Sequence, residues 1–294
     1  MLNILRASLR TGRVTEEYPA HDPSTSASRG RPWIDPVRCD ASGACAAVCP
    51  SGAITLGPAN LAGRRWQLDL ARCLYCGLCE EACARGAIKM TTDFELASRT
   101  RQDLIVAVTH GGRVAVGSSA TEAGGQPSEE IAARVATSSG TKNPGHRGRG
   151  PLRRSLHVRH MAAGSDNSTD WEISALLNPV YDVQRLGIDF VASPRHADLL
   201  LVTGAVTRHL EPALRATYEA MPSPRIVVAA GNEACGGGIL GGSYAVAGGV
   251  DRCLPVDVYI PGDPPRPEAL IQGLLVAMER LEPKVHATEL HSGR

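Results

Sequence analysis

The sequence predicts a two-domain protein, with an α+β half followed by an α/β half that contains a mainly parallel sheet. Three observations carry this prediction. Seven of the nine cysteines lie between Cys39 and Cys83, and the unit around them repeats after 34 positions. After residue 152, apolar strand-like runs alternate with helical patterns. A chain of 294 residues is long enough for about two domains.

Composition excludes several classes of protein. Hydrophobic residues make up 43% of the chain, which is enough for globular cores. The 31 Lys and Arg residues nearly balance the 30 Asp and Glu residues, and aromatic residues make up only 4%, so we expect no nucleic-acid partner. The chain has no run of about 18 apolar residues to cross a membrane, and we expect no secretory signal at its start.

Composition also divides the chain into five segments. Residues 1–32 are expected to form a leader with an amphipathic start followed by a loop, and residues 285–294 a tail. Between them we expect a cysteine-rich domain over 33–106, a flexible linker over 107–151 and an α/β domain over 152–284. The start of the leader is either a helix that lies on a membrane or a partner, or a helix packed on its own domain.

The cysteine-rich domain repeats its own sequence. The run from Ile34 to Cys39 aligns with the run from Leu68 to Cys73, and the tripeptide Gly-Ala-Ile recurs at 52–54 and 86–88. Such a period indicates a duplicated supersecondary unit. We expect each copy to contain a strand, a cysteine loop, a short helix and a second strand.

The spacing of the cysteines is typical of iron–sulfur proteins. The second copy reads Cys-x-x-Cys-x-x-Cys-x-x-x-Cys from Cys73 to Cys83. In such a run the first three thiolates hold one cluster, whereas the fourth ligates the neighbouring cluster. This crossing predicts two ligand sets. The first is Cys73, Cys76, Cys79 and Cys49, and the second is Cys39, Cys45, Cys83 and, in place of a fourth cysteine, Ser42.

Ser42 distinguishes the second cluster from the first. An oxygen ligand is harder than a thiolate and suits an iron–sulfur centre less well. We therefore expect one 4Fe–4S cluster and a second centre that is 3Fe–4S, or 4Fe–4S with a serine-ligated or open iron. A structural zinc site is the alternative, but zinc sites normally pair two Cys-x-x-Cys units across about 12–20 residues.

The second half shows the pattern of a parallel sheet covered by helices, which we expect to be flavodoxin-like. Ligands of such sheets bind beyond the carboxyl ends of the strands. The predicted strands are Ile188–Ala192, Leu199–Thr203, Ile226–Ala230 and Val256–Ile260, and the predicted helices are Glu211–Met221 and Pro267–Leu281.

Three further features have ordinary structural explanations. The glycine-rich run from Gly236 to Gly242 lacks the lysine of a Walker loop, so we expect a structural loop. His157 and His160 have no carboxylate or cysteine partner within their motif, and we expect them at solvent or an interface. Tyr75 either shields a cluster or packs in the core.

Both halves resemble subunits of known respiratory machines. Residues 1–106 resemble the two-cluster ferredoxin subunit of complex I and of formate-hydrogenlyase-type hydrogenases, through Leu9–Thr15, the cysteine repeat and Asp93–Ala97. Residues 152–282 resemble the complex I 20 kDa, or [NiFe]-hydrogenase small, subunit. The runs that carry this second resemblance are Arg153–Leu156, Leu176–Asp182, Ala192–Asp198, Val202–Gly204 and Ile260–Gly262. The chain is thus similar to a fusion of two neighbouring subunits.

The second resemblance implies a proximal 4Fe–4S cluster that this sequence does not support. The family's four cysteine positions fall within Gly164–Thr169, Gly231–Glu233 and Gly262–Pro265, and none of them is a cysteine here. We expect instead a vacated pocket where Asp166, Thr169, Glu233 and Asp263 meet. Its three carboxylates either pair with arginines around water or recruit an oxygen-preferring cation.

The resemblance implies an iron–sulfur electron-transfer subunit of a membrane-associated, hydrogenase-like or complex-I-like oxidoreductase, with no catalytic site of its own. The implied partners are a hydrogenase-like or complex-I-like large subunit and membrane-arm subunits. The implied location is cytoplasmic and peripheral, on the inner face of the membrane. Two alternatives stay open, namely a docking scaffold in a redox-uncoupled complex and a stand-alone iron–sulfur redox sensor.

Overall fold

The structure is a computed structural model that describes residues 6, 10–20, 29–58, 64–109, 113–116, 152 and 154–284. Its strands form a two-stranded, a four-stranded and a five-stranded sheet. Among these described residues, no helix combines the length and apolarity needed to span a membrane.

The cysteine-rich half is built from short elements. β1 and β4 pair antiparallel, and β2, β3, β5 and β6 form an antiparallel sheet in the order β2-β3-β5-β6. Each cysteine unit runs strand, loop, one-turn helix, strand. The elements are β1 Pro32–Ile34, α1 Ala44–Ala47, β2 Ile54–Leu56, β3 Arg65–Asp69, α2 Leu78–Glu81, β4 Ile88–Met90, β5 Ile105–Thr109 and β6 Arg113–Val116.

The sheet of the cysteine-rich half continues past the boundary that we expected at residue 106. β5 pairs with β3, and β6 pairs with β5, so residues 107–109 and 113–116 are strand rather than linker. The apolar alternation explains this difference, because Val106 and Val108 are buried where they face Leu68 and Trp66 of β3. The remainder of the expected linker, residues 110–112 and 117–151, lies outside the described residues.

The α/β half contains a five-stranded sheet that is parallel throughout. Its strand order is β8-β7-β9-β10-β11, which is the 2-1-3-4-5 order of flavodoxin-like folds. The elements are β7 Leu156–Ala162, α3 Ser168–Ala175, β8 Ile188–Phe190, β9 Leu199–Thr203, α4 Glu211–Ala220, β10 Ile226–Ala230, α5 Asn232–Gly236, β11 Val258–Ile260 and α6 Pro267–Ala277.

Both faces of this sheet are buried at β9 and β10, which explains why these two strands are almost entirely apolar. Leu199 and Leu201 of β9 belong to a core with α3 and α6. Leu200 and Val202 point to the other face and share one continuous apolar cluster with Leu68 and the thiol side chains of the cysteine-rich half. The two halves therefore bury a common core.

A backbone bridge joins the two halves. The amide of Ser98 donates to the carbonyl oxygen of Tyr259 at 2.9 Å, and the amide of Tyr259 donates back at 2.8 Å. Next to this bridge, the amide of Ala97 donates to Oε1 of the fully buried Gln272 at 3.1 Å. Residues 97–98 thus extend the edge of the parallel sheet at β11.

The described end of the leader packs on the chain itself. Tyr18 is buried in an edge-to-face contact with Phe94, with ring centroids 5.7 Å apart, and its hydroxyl donates to Glu95 at 2.9 Å. Arg185 donates to the carbonyl oxygen of Tyr18 at 2.8 Å. The apolar residues of the amphipathic start, from Leu2 to Leu9, lie outside the described residues, so its two interpretations stay predictions.

The closeness of α6 to β11 generates a stability prediction. A Cβ on Gly273 would overlap the side chain of Ile260 and would contact Ala97 across the junction. Gly273→Ala should therefore lower the free energy of unfolding by about 1–2 kcal/mol, because overpacking outweighs the helix propensity of Ala. Denaturant unfolding measures the change. Gly242→Ala is the control, because a Cβ there has no neighbour within 4 Å. Equal stability of both variants would contradict the prediction.

Candidate functional site

Four of the predicted ligands line a single cavity. Cys49, Cys73, Cys76 and Cys79 line one small cavity of about 20 Å³, with apolar walls that include Leu68. Cys49 belongs to the first cysteine unit and the other three belong to the second. The structure therefore brings thiols of both units around one space, in the arrangement that the crossed spacing predicts.

The remaining three thiols, of Cys39, Cys45 and Cys83, lie near one another. Burial raises the pKa of Cys45, and the neighbouring thiols of Cys39 and Cys83 raise it further. Backbone amides point at two of these sulfurs, since Ala41 donates to Cys39 Sγ at 3.4 Å and Ala87 donates to Cys83 Sγ at 3.2 Å. Thiols of both units therefore meet at this second place as well.

The two cysteine loops share one backbone conformation. Ala41 and Tyr75 occupy equivalent positions and have φ angles of 54° and 52°. The amides of both donate to the preceding loop cysteine at 3.4 Å. A positive φ is uncommon for a residue other than glycine and persists where the surroundings require it. The loop with Ser42 is therefore folded like the loop with the full set of cysteines.

The thiol sites fit an iron–sulfur group. Burial raises the pKa of Cys73 to about 12 and that of Cys79 to about 11, so both free thiols are protonated at neutral pH. A bound metal centre stabilises such thiolates. The buried indole N–H of Trp66 faces the thiol of Cys45 and opposes the rise in its pKa, as a donor to a thiolate does. A site for a single metal ion is a different case. Within the described residues, no group of three or more His, Cys, Asp or Glu side chains is placed to hold one metal ion.

Ser42 is engaged with its own loop. Its amide donates to Asp40 Oδ1 at 3.1 Å, and this hydrogen bond together with that of its hydroxyl lowers the pKa of Asp40. The serine oxygen is thus turned to a carboxylate at the surface. Its assignment as a cluster ligand stays a prediction.

The residues of the expected vacated pocket lie at the carboxyl ends of β7, β10 and β11. Asp166 and Thr169 follow β7, Glu233 lies in the first turn of α5, and Asp263 follows β11. Thr169 is so close to Gly231 that a Cβ on that glycine would lie 2.7 Å from its hydroxyl oxygen. This is the crevice beside the switch in strand order between β7 and β9, where ligands of such folds bind.

The carboxylates of this pocket repel one another. Burial raises the pKa of Glu233 to about 7, and the charges of Asp166 and Asp263 contribute. Burial also raises the pKa of Asp263 to about 6, again with a contribution from Asp166. Near neutral pH the pocket therefore binds a proton, which is one way to relieve the repulsion of close acids.

A hydrogen-bonded group beside the pocket was missed by sequence reasoning. Nε2 of His160 lies 3.0 Å from Asp170 Oδ1, and the hydroxyl of Thr203 donates to the same oxygen at 2.6 Å. Burial lowers the pKa of His160 although Asp170 opposes the shift. We expected His160 at solvent or an interface, and the structure instead pairs it with an aspartate from α3. His157 stays exposed beside Asp198.

A cleft connects the first thiol site with the vacated pocket. Its volume is about 280 Å³, and Cys76 and Asp263 both line it, together with Phe94 and Arg266. Tyr75 lies between this cleft and the thiol cavity, and its hydroxyl donates to the carbonyl oxygen of Leu70 at 3.3 Å. Of the thiols described, Cys76 therefore faces the α/β half.

Comparison with known proteins agrees with both halves of the fold. Residues 38–87 match the profile of the 4Fe-4S dicluster domain. Residues 167–277 match that of the NADH ubiquinone oxidoreductase 20 kDa subunit. The probable membrane-bound hydrogenase subunit mbhJ of Pyrococcus furiosus is 47% identical over 128 residues, which are 44% of this chain and 77% of that protein.

This chain belongs to the family of the NADH ubiquinone oxidoreductase 20 kDa subunit. Formate hydrogenlyase subunit 7 of Escherichia coli is 49% identical over 46% of this chain, which spans about half (53%) of that relative. An NADH-quinone oxidoreductase subunit of Citrifermentans bemidjiense is 50% identical over 34% of this chain and 59% of its own length. A chain of an archaeal membrane-bound sulfane sulfur reductase is 38% identical over 43% of this chain and 70% of its own, with a TM-score of 0.39 that is too low for a structural argument.

The two resemblances inferred from the sequence are thereby confirmed, as are the ferredoxin-like domain and the parallel sheet of the 20 kDa-subunit half. The dicluster profile supports the presence of iron–sulfur clusters. The ligand sets, the number and type of the clusters, and the role of the vacated pocket stay predictions.

The serine in the first cysteine loop leads to a spectroscopic prediction. Wild-type protein should show a three-iron signal, or lose one iron easily on oxidation, because Ser42 is a poor ligand for that corner. Ser42→Cys should give a stable four-iron centre. Electron paramagnetic resonance before and after mild oxidation distinguishes the two, with Ser42→Ala as the control that removes the oxygen. Two equivalent, oxidation-resistant four-iron spectra from wild type would show that the present ligands suffice.

The raised pKa of Glu233 leads to a prediction about pH. The folded state holds this proton up to about pH 7, whereas the unfolded state releases it near the ordinary glutamate pKa of 4.5. Stability should therefore fall as the pH rises from about 4.5 to 7, since the folded state binds more protons over this range. Glu233→Gln should flatten that fall and stabilise the protein above pH 7. Denaturant unfolding at several pH values measures it, with Glu219→Gln on the exposed face of α4 as control. An unchanged pH slope in Glu233→Gln would refute this account.

Proposed function

We propose that this chain is an iron–sulfur electron-transfer subunit of a membrane-associated, hydrogenase-like or complex-I-like oxidoreductase. The observation that carries the proposal is the single cavity lined by thiols of both cysteine units. The names of the relatives support it, since they are subunits of a formate hydrogenlyase, a membrane-bound hydrogenase and NADH-quinone oxidoreductases.

Two clusters are assigned to the duplicated ferredoxin-like half. One 4Fe–4S cluster would be held by Cys49, Cys73, Cys76 and Cys79, and a 4Fe–4S or 3Fe–4S centre by Cys39, Cys45, Cys83 and Ser42 or an open position. When bound, such clusters supply one-electron transfer. The chain itself supplies burial, apolar walls and the amide donors of Ala41, Tyr75 and Ala87, which tune such centres.

The domain division follows from the same proposal. A duplicated ferredoxin unit begins near residue 33, the 20 kDa-subunit half spans 152–284, and the segment between them joins two proteins that are separate in other machines. The parallel sheet and the dicluster match support this division.

The proposed partner is a large subunit that lies over the vacated pocket. α3 begins at this pocket and exposes 76% of Trp171, and Leu177 just beyond it is 53% exposed. Large apolar side chains exposed beside a ligand crevice are typical of an interaction surface. Membrane-arm subunits would complete a peripheral assembly on the inner face of the membrane.

A docking scaffold is the second candidate, and the sequence of the vacated pocket favours it. Asp166, Thr169, Glu233 and Asp263 cannot hold a third iron–sulfur cluster as thiolates would. In a scaffold, the 20 kDa-subunit half would only position its partner. Intact nickel-binding Cys-x-x-Cys pairs in the partner large subunit would favour hydrogenase chemistry, and their loss would favour the scaffold.

Metal analysis of anaerobically purified protein tests the proposed function. Wild-type protein should contain iron and acid-labile sulfide for two clusters. Cys76→Ala should lose the intact four-iron signal and loosen the ferredoxin-like half, because it removes a ligand from the shared cavity. The matched control is Cys253→Ala, a buried cysteine in the other half that should keep the full iron content. Stoichiometric zinc without acid-labile sulfide would reject the assignment, and so would third-cluster iron that survives replacement of all seven N-terminal cysteines.

A further inference from the structure

A second large cavity lies between the two halves, and Cys235 is part of its wall. We call it the arginine cavity. Its volume is about 650 Å³, and it is partly open to solvent. The ferredoxin-like half contributes Asp69, Arg72 and Arg101, and the 20 kDa-subunit half contributes Arg208, Asp251, Arg252 and the glycine-rich loop after α5.

The lining of the arginine cavity carries an excess of positive charge. It contains four arginines and two aspartates. Asp69 is already paired, because its Oδ2 lies 2.5 Å from Arg101 Nη2. Asp251 interacts with both Arg101 and Arg252. Among the described residues, neither Arg72 nor Arg208 forms an ion pair with a carboxylate, so positive charge is left uncompensated at two places on the wall.

The arginines also have spare hydrogen-bond donors. Each guanidinium has five N–H groups. Arg72 uses one on the carbonyl oxygen of Ser51 at 2.6 Å, and Arg208 uses one on the carbonyl oxygen of Tyr244 at 2.8 Å. Nη1 of Arg101 is buried and has no hydrogen-bond partner in the described part of the chain. That atom is too enclosed to meet a ligand, so the donors available to an anion in the cavity are the unused N–H groups of Arg72 and Arg208.

The glycine-rich loop shapes the other wall. A Cβ on Gly236 would lie 2.6 Å from the carbonyl oxygen of Ala71, so this loop approaches the ferredoxin-like half as closely as backbone allows. Gly241 and Gly242 line the cavity without side chains. Tyr244 is 92% exposed at the rim. The loop thus leaves open the space that the arginines surround, a role beyond the structural one that we expected from its sequence.

We propose that the arginine cavity binds a soluble anion with two or more phosphate groups. Several guanidinium groups on opposite walls need more than one anionic group to pair with, and their planar forks match phosphate oxygens. The cavity is large enough for a ligand of nucleotide size. This site is separate from the thiol sites and does not depend on the proposed electron-transfer function.

A bound anion would change the electrostatic potential at the first thiol site. Arg72 directly precedes Cys73 and donates to Ser51, whose hydroxyl lies 3.8 Å from Cys49 Sγ. Neutralising the charge of Arg72 removes positive potential beside two proposed cluster ligands. Ligand binding should therefore lower the reduction potential of a cluster held there. This second effect, unlike the binding itself, rests on the proposed function.

Calorimetric titration of the full chain with pyrophosphate and with ATP tests the site. Wild-type protein should bind both, and Arg72→Gln with Arg252→Gln should weaken binding at least tenfold. Arg195→Gln, which removes an exposed arginine elsewhere, should bind as wild type does. Gly242→Asp is a second test of the site that does not depend on the folding of the double variant. It places a negative charge in the cavity at a position where a Cβ has no neighbour within 4 Å. It should also weaken binding at least tenfold.

The outcomes separate the alternatives. Lack of pyrophosphate and ATP binding by wild type at millimolar concentration would overturn the proposal, as would equal binding by Gly242→Asp. Citrate that binds as tightly as pyrophosphate would overturn the assignment to phosphate. Binding only to vesicles that contain phosphatidylglycerol, and not to the free anions, would show that the ligand is a lipid headgroup and would overturn the proposal of a soluble anion. Binding that persists in protein without clusters would support the site even if the proposed function fails.

Discussion

The backbone bridge between Ser98 and Tyr259 is the constraint on which the arrangement of this molecule depends. It places the strand-like segment after β4 against the edge strand β11, and Gln272 satisfies the neighbouring amide from α6. Because backbone hydrogen bonds fix both distance and direction, the cysteine-rich half can sit on the sheet in only one register. The shared apolar cluster then follows, since the sheet face with Leu200 and Val202 is covered by the other half.

Both inter-half spaces follow from this placement. One is the cleft between Cys76 and Asp263, and the other is the arginine cavity. Each is lined by residues from both halves, so neither would exist in an isolated half. The junction therefore creates two spaces of different charge, a cleft lined by two arginines and two aspartates and an arginine cavity with an excess of positive charge.

Local patterns could be predicted from the sequence, whereas contacts across elements could not. The strands Leu199–Thr203 and Ile226–Ala230 match the predicted bounds because continuous apolar runs between turn residues leave little choice. β7 was missed, since His157, Arg159 and His160 interrupt its apolar pattern. The two histidines find partners in Asp198 and Asp170, which lie on other elements and give no signal in the local sequence.

The same limit applies to the candidate site. Crossed spacing was enough to place Cys49 with the thiols of the second unit, because the repeat fixes which residues are equivalent. The closeness of Asp166, Glu233 and Asp263 was inferred from a family in which the equivalent positions meet. No such family pattern pointed to the arginine cavity. Its arginines come from four separate segments of the chain, and only the folded chain shows that they share a space.

Because the two halves belong to one chain, the interface between them can be less extensive than an interface between separate subunits. Two separate subunits would lose translational and rotational freedom on association, at a cost of about 4–15 kcal/mol, and would need an extensive interface to offset it. In one chain the partner surfaces meet at an effective concentration on the order of millimolar for short linkers. One backbone bridge, one buried glutamine and a shared core can then suffice. The two halves are also made in equal numbers, so neither can accumulate without the other.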